Sequence, residues 1–218
     1  MTWLTPLGGV WRIIAVVSTC ALVLTGCAPG TGGETGESGK AGLSSAAPSQ
    51  SSTVQMSGGY VLDAQGRPVQ PERSWPDLTR DPLMDEETPE GVEAFARYFV
   101  AVAERAWNTG DTTELETISS QECSYCTNLT SRINEYYLSG YWSDELRYRI
   151  VSSDQPIVFP DDNSKYVMMI RLKSGGGRYY SGGPVKSPAT ISETLELHIC
   201  RTNSQWNACE AIGNEDES

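Results

Sequence analysis

Four cysteines, spaced as two pairs, offer the clearest chemistry in this 218-residue sequence. Cys123 and Cys126 form a Cys-x-x-Cys motif, and Cys200 and Cys209 stand as a wider Cys-x8-Cys pair. A Cys-x-x-Cys at a helix N-terminus lowers the pKa of the attacking thiol in thiol–disulfide oxidoreductases. Here the motif lies between predicted helices and not after the first strand of a βαβ unit, which favours a structural disulfide. Zinc is not predicted, because the wider pair lacks the close spacing found in a zinc ribbon.

A fifth cysteine ends an apolar run near the N-terminus. Residues 13–25 are uncharged, and the run is too short to span a membrane but has the length of a signal-peptide core. The sequence LTGC that ends at Cys27 is similar to the lipobox of bacterial lipoproteins, which implies cleavage before this cysteine and a diacylglyceryl group on its sulfur. Two acyl chains anchor a protein stably. We therefore expect Cys27 to hold the protein at the extracytoplasmic face of the cell membrane; the alternative is an ordinary signal peptide or an uncleaved apolar helix.

Export would place the four paired cysteines in an oxidising space, where three pairings are open to them. A hairpin that turns at Ser204 and Gln205 would put Cys200 opposite Cys209, at a separation that a disulfide accepts. We therefore prefer the pairing of Cys123 with Cys126 and of Cys200 with Cys209.

The one histidine, His198, lies on a predicted strand. Alternation places it on the same face as Glu196 and Cys200, but the sequence does not tell which face of the sheet is covered. A histidine beside a glutamate can act as a general base. Because no second catalytic partner is identifiable, we interpret His198 as a partly exposed strand residue and keep it as a candidate ligand contact.

Aromatic residues concentrate where the helix signals give way to strand signals. The segment EYYLSGYW contains Tyr136, Tyr137, Tyr141 and Trp142. Such rings could stack on a sugar or an apolar ligand at the mouth of a pocket. In a domain with three Phe they are more simply explained as core packing, which is the interpretation we prefer.

The sequence predicts helices in the first part of the domain and strands in the second part. These elements must position the cysteines, His198 and the aromatic residues. Thr88 is a predicted N-cap with Pro89 at the first helical position, and Gly110 is a predicted helix terminator. A further helix is predicted over residues 124–138. After residue 144 apolar and polar side chains alternate with period two, and no helix-length segment separates the strands, so the sheet should be antiparallel.

The composition sets the organisation of the chain. Of residues 28–57, 22 of 30 are Gly, Ser, Thr, Ala or Pro, which predicts a disordered tether.

The net charge is −12, or −13 without Arg12 of the signal peptide, which argues against a nucleic-acid partner. The predicted parts are a lipoprotein signal peptide (1–26), a lipidated Cys27 with its tether (27–57), a Pro-rich irregular lead-in (58–87), an α+β domain (88–211) and an acidic tail (212–218).

The run TPEGVEAFARYFVAVAERAWNTGDTTELETISSQEC, residues 88–123, resembles the opening of a nuclear transport factor 2-like domain. With the following Cys-x-x-Cys and the upstream lipobox, it also resembles uncharacterised lipoproteins of high-GC Gram-positive bacteria. The resemblance implies an α+β fold with N-terminal helices packed on a curved antiparallel sheet. It implies no single function, because this fold hosts enzymes and binding modules alike.

The sequence therefore favours a non-enzymatic binding or accessory module of the cell envelope. Expected partners are the membrane, through the lipid anchor, and an unidentified envelope protein or small ligand; no cofactor or metal is expected. The first alternative is an envelope thiol–disulfide oxidoreductase, which would need a reactive, exposed Cys123. The second is an isomerase-like or hydrolase-like enzyme, which would need two titratable groups within hydrogen-bond reach in a closed pocket. A wide apolar mouth without such groups would favour binding.

Overall fold

The computed structural model describes residues 56–215. The predicted signal peptide, Cys27 and nearly all of the predicted tether lie outside the described residues. Within the described part, no helix is long and apolar enough to cross a membrane. The helices are a short 3₁₀ helix (Pro82–Asp85), α1 (Pro89–Thr109), α2 (Thr113–Thr117) and α3 (Ser124–Leu138). The strands are β1 (Met56–Ser57), β2 (Tyr60–Val61), β3 (Trp142–Asp144), β4 (Arg147–Ser153), β5 (Ile157–Phe159), β6 (Asp162–Gly175), β7 (Arg178–Tyr180), β8 (Ile191–Thr202) and β9 (Gln205–Glu215).

Helix α1 begins and ends where its capping residues predict. The Thr88 hydroxyl accepts a hydrogen bond from the Gly91 amide at 3.1 Å, and Pro89 occupies the first turn. Gly110 ends the helix in the left-handed conformation, with φ of 75°, which glycine adopts without a steric penalty. The predicted bounds of α1 are therefore confirmed.

The main sheet is antiparallel throughout. Its strands lie in the order β4-β6-β8-β9, and β5 pairs with the first half of β6. Strands β3 and β7 form a separate antiparallel pair. Helices precede the sheet and pack on one of its faces, so the predicted α+β class is confirmed, with the helix-then-sheet order of the nuclear transport factor 2-like fold.

The core lies between the helices and the covered face of the sheet. Phe95 and Phe99 of α1, Ile133 of α3 and Leu197 and Ile199 of β8 are fully buried in one cluster. Each such side chain contributes about 1.5–3 kcal/mol through removal of its apolar surface from water. The residues of β8 that alternate with Leu197 and Ile199 face away from the helices and therefore lie outside this core.

The segment before the helices is irregular but is held against the domain. The indole Nε1 of Trp142 donates to the Pro68 carbonyl at 2.8 Å. The amide Nε2 of Gln70 donates to the carbonyls of Asn108 and Ser143, each at 2.8 Å. The lead-in is thus fixed to the ends of α1 and β3.

Strand β9 continues to Glu215, past the domain boundary predicted at residue 211. Glu193 of β8 is its pairing partner there, so β8 offers hydrogen-bonding positions along the whole extension. The beginning of the predicted acidic tail is therefore strand, while residues 216–218 lie outside the described residues.

Candidate functional site

A cleft of about 570 Å³ lies between the second half of α3, the start of β4 and the end of β6. Strands β3 and β7 and the segment before β8 close its other sides. This volume is in the range of small-molecule pockets, roughly 300–1,000 Å³. Aromatic rings make up much of its wall: Trp107, Tyr136, Tyr141, Tyr148 and Tyr179.

Tyr136 stands at the centre of the aromatic wall. Its ring lies 5.9 Å from that of Trp107 and 5.4 Å from that of Tyr141, both edge to face. Its hydroxyl donates to the Tyr180 carbonyl at 2.8 Å. Burial raises the pKa of Tyr136 to about 12, so this phenol is neutral at physiological pH. The wall is therefore rigid and uncharged at this point.

The aromatic cluster predicted from the sequence divides between two environments. Tyr136 and Tyr141 line the cleft. Tyr137 turns inward, and its hydroxyl donates to the Trp107 carbonyl at 2.9 Å. Trp142 is 3% exposed and packs under the lead-in. Two of the four rings thus line the cleft and two serve packing, and contact of Tyr136 and Tyr141 with a ligand stays a prediction.

Two further residues of the cleft, Arg132 and Tyr148, are not predicted by the sequence analysis. Arg132 lies one turn before Tyr136 on the same face of α3, followed by Glu135 and Ser139, and all four line the cleft. That i, i+3, i+4, i+7 spacing of polar and aromatic residues was the signal that could have identified this face. Tyr148 lies on β4, and burial together with the charges of Glu193 and Glu104 raises its pKa, which the charge of Arg132 offsets only in part.

A buried ion pair lies behind the cleft. Asp144 is 1% exposed and accepts hydrogen bonds from Arg73 Nη2 at 3.1 Å and from Arg178 Nη2 at 3.2 Å. Hydrogen bonding to Asp144 raises the pKa of the Arg73 guanidinium. The two arginines also contact Glu145, at 3.2 and 3.5 Å. Arg178, which lines the cleft, is therefore already neutralised.

The turn before β7 needs glycine. Gly177 has φ of 67°, and a Cβ at this position would lie 2.2 Å from the Asp144 carbonyl oxygen. Only glycine lets β7 approach β3 this closely. The pairing of β3 with β7, and hence the closed side of the cleft, depends on this residue.

His198 lies on the sheet face away from the helices and does not meet the aromatic cleft. Its Nε2 is 2.7 Å from Glu196 Oε1, its Nδ1 is 3.7 Å from Glu210 Oε2, and its ring is 5.3 Å from that of Phe159. Within residues 56–215, no group of three His, Cys, Asp or Glu side chains is placed to hold a metal ion. The structure thus separates His198 from Tyr136 and Tyr141.

Both disulfides preferred from the sequence are present. Cys123 joins Cys126 with a Cα–Cα distance of 5.2 Å, at the start of α3. These two cysteines are 0% and 2% exposed, which denies a substrate thiol access to their sulfurs. Cys200 joins Cys209 with a Cα–Cα distance of 5.9 Å. Cys27 lies outside the described residues, and its lipidation stays a prediction.

The register of the second disulfide differs from the one predicted. The hairpin turns at Asn203 and Ser204, both with positive φ, and not at Ser204 and Gln205. In this register Asn207, and not Cys209, is directly opposite Cys200. Cys209 is the extra residue of a bulge in β9, between the partners of Ile199 and His198, and its Cα lies 5.9 Å from that of Cys200.

Two backbone hydrogen bonds beside this disulfide tie the α2–α3 connection to β9. Ala208 donates to the Ile118 carbonyl at 2.9 Å, and Ser120 donates to the Ala208 carbonyl at 2.8 Å. The segment that leads to Cys123 therefore pairs with β9 next to Cys209.

Comparison of the chain with curated proteins found no sequence relative. Solved structures of similar arrangement include the intermembrane space region of the chloroplast protein ARC6, at 12% identity over 59% of this chain and 98% of that chain, with a TM-score of 0.47. An NTF2-like protein of unknown function from Shewanella baltica is 12% identical over 59% and 96% of the two chains, with a TM-score of 0.37.

An NTF2-like protein of unknown function in nutrient uptake from Rhodospirillum rubrum is 17% identical over 56% of this chain and 98% of that chain, with a TM-score of 0.37. At such identities and scores, these similarities support no statement about ligands or activity. The sequence match is more extensive: residues 71–211, which include the helices, both disulfides and the cleft, match the profile of a family of unknown function, DUF6318. The chain therefore belongs to the DUF6318 family.

Proposed function

We propose that this protein is a lipoprotein of the bacterial cell envelope, anchored through Cys27 at the extracytoplasmic face, whose domain binds a small ligand in the aromatic cleft. The resemblance of LTGC to a lipobox supports the anchor. The resemblance of the domain to lipoproteins of high-GC Gram-positive bacteria supports the same location. The observation that carries the binding function is the cleft itself.

The lining of the cleft favours binding over catalysis. Among its described lining residues, Glu135 is the only carboxylate and none is a histidine. The raised pKa values of Tyr136 and Tyr148 make them poor acids or bases near neutral pH. Rigid aromatic walls with a few polar groups are typical of sites that hold a ligand by packing.

The redox alternative is disfavoured by burial. A thiol–disulfide enzyme exposes its attacking sulfur to a substrate disulfide. Cys123 and Cys126 are instead enclosed at the start of α3. They are better explained as a clip between the helices.

The binding function is tested with the neutral fluorescent probe N-phenyl-1-naphthylamine. The full chain carries Cys27→Ser, so that no lipid competes for the probe. We expect saturable binding that Ala189→Trp, at the mouth of the cleft, weakens by about tenfold or more because the indole fills the site. Val151→Trp adds the same ring at an exposed position outside the cleft and should leave the affinity unchanged. Equal effects of the two variants would contradict the proposal.

The anchor is tested by partition between Triton X-114 and water. The natural protein should enter the detergent phase, and a Cys27→Ser chain that lacks the predicted signal peptide, residues 1–26, should enter the aqueous phase, because two acyl chains dominate the partition. Cys20→Ser, in the predicted signal peptide, is the matched control and should behave like the natural protein. An aqueous natural protein would refute the anchor.

A further inference from the structure

We infer that the ligand of the aromatic cleft is an anionic amphiphile, whose apolar or ring-shaped body packs against the tyrosines and whose single anionic group binds Arg132 and Tyr148. This inference rests on the proposed function and specifies the chemical class of its ligand.

The first argument is the state of Arg132. Within residues 56–215, nine of the eleven arginines face a carboxylate within 4.0 Å, and Arg132 and Arg149 are the two that do not. In a chain with 28 acidic and 16 basic residues, an arginine without a carboxylate partner is unexpected on charge statistics. Both side chains are exposed, but Arg149 lies on β4 outside the cleft and Arg132 lines the cleft. The guanidinium of Arg132 thus keeps its donors available at the site.

The second argument is the convergence of Tyr148 on the same place. Its side chain lines the cleft from the strand opposite α3, and no hydrogen bond of its hydroxyl is found in the described part of the chain. Arg132 lines the same cleft from α3, so the two groups face it from its two walls. A guanidinium and a neutral phenol provide several donors for one group of acceptor oxygens.

The third argument concerns the other charges of the cleft. Arg178 is already bound to Asp144 and Glu145, so it contributes little free positive charge. Glu135 is exposed on α3, and no ion pair joins it to Arg132. An anionic group beside Arg132 would therefore replace water and would not displace an existing partner.

The shape of the site decides between a small ion and a larger molecule. A bare anion would need only Arg132 and Tyr148, but the cleft extends over about 570 Å³ along Tyr136, Tyr141 and Ile191. Aromatic and aliphatic walls of this extent bind apolar surface. The occupant that satisfies both parts carries an anionic group on an apolar or ring-shaped body.

Two matched probes test the inference. 8-Anilinonaphthalene-1-sulfonate and N-phenyl-1-naphthylamine share their rings, and only the first is anionic. In the full chain carrying Cys27→Ser, the anionic probe should bind several times more tightly than the neutral one. Arg132→Gln should weaken the anionic probe by about tenfold and leave the neutral probe unchanged, in line with the loss of one charge-assisted contact.

The control is Arg149→Gln, which removes the same charge outside the cleft and should change neither probe. Tyr148→Phe should weaken the anionic probe by about three- to fivefold, with thermal unfolding confirming that the variant is folded. Equal binding of both probes, or equal effects of Arg132→Gln on both, would overturn the inference while leaving the proposed function intact. If neither probe responds to Ala189→Trp, the proposed function itself fails.

Displacement of the bound anionic probe distinguishes the sources of the charge. Dodecanoate and dodecyl phosphate should both displace it at lower concentration than dodecanol, and the more potent of the two identifies a carboxylate or a phosphate ligand. Dodecanol of equal potency would refute the role of the charge. Displacement by inorganic phosphate alone at the same concentration would refute the role of the apolar body.

Discussion

The two ends of the domain are stabilised by different means, and α3 and β6 run from one to the other. At the disulfide end, α3 starts at the Cys123–Cys126 bond and β6 starts beside Cys200. At the cleft end, α3 finishes with Leu138 and its C-cap Ser139, β6 finishes with Gly175, and the polar groups of the site face solvent. Disulfide bonds thus fix one end of α3 and β6, whereas the cleft at their other end keeps free hydrogen-bond donors.

This difference teaches that stability and binding can be separated in this fold. The disulfide end contains the Cys123–Cys126 bond, which no ligand would reach because both cysteines are buried. The cleft end depends on one buried carboxylate and on close backbone approach at Gly177. Changes at the first end should therefore alter unfolding alone, and changes at the second should alter unfolding and binding together.

The largest effect is expected from Asp144→Ala at the cleft end. This change leaves Arg73 and Arg178 without their buried partner and should lower the free energy of unfolding by about 2–3 kcal/mol, less than for fully buried arginines because both are partly exposed. Urea denaturation measures this, and the anionic probe should bind more tightly, because Arg178 lines the cleft and loses one of its two carboxylate partners. Asp154→Ala removes an exposed ion pair with Arg171 and should cost less than about 1 kcal/mol. Equal losses in the two variants would show that Asp144 does not support this end.

Removal of the disulfides should have an intermediate effect that is confined to stability. Cys200→Ala with Cys209→Ala opens a longer loop than Cys123→Ala with Cys126→Ala, with sequence separations of 9 and 3. Chain entropy then predicts losses of about 2.7 and about 1.9 kcal/mol in urea denaturation. Binding of both fluorescent probes should stay within about twofold of the natural protein. A change of binding beyond twofold would show that the two ends are coupled.

The smallest effect is expected from Tyr136→Phe. The change removes the hydrogen bond to the Tyr180 carbonyl and should cost about 1 kcal/mol near neutral pH. The folded pKa of about 12 lies above the unfolded value of about 10, so the unfolded chain releases its proton first and stability falls as pH rises above about 10. Tyr136→Phe should reduce this alkaline fall in urea denaturation at pH 8 and pH 11. A parallel fall in both proteins would assign it to other tyrosines.

Local signals in the sequence were sufficient for the helices and the longest strands. Thr88, Pro89 and Gly110 fix the ends of α1 through backbone capping, which depends only on neighbouring residues. Alternation over β6 and β8 likewise follows from one buried face. The short pair of β3 and β7 was not predictable in this way, because each strand has three residues and their partners are distant in sequence.

The site was harder to predict because it depends on the pairing register of the strands and on which face of the sheet the helices cover. The bulge at Cys209 changes which residues oppose each other, and nothing local in the sequence marks it. The same ambiguity left the direction of His198 undecided until the covered face of β8 was known. Arg132 of α3 and Tyr148 of β4 line one cleft only in the folded domain, so their common site is a property of packing and not of either segment.

The attachment of the lead-in has a mechanical consequence. A force applied at the N-terminal side of Tyr60 is borne in turn by the contacts of the Tyr60 ring with Trp142 and Arg178, of Pro68 with Trp142, and of Gln70 with the carbonyls of Asn108 and Ser143. These contacts lie in sequence along the segment, so they would break one after another and not together. The sheet and its disulfides bear load only after the segment has been peeled away, which makes the lead-in the part of the domain that yields first under tension.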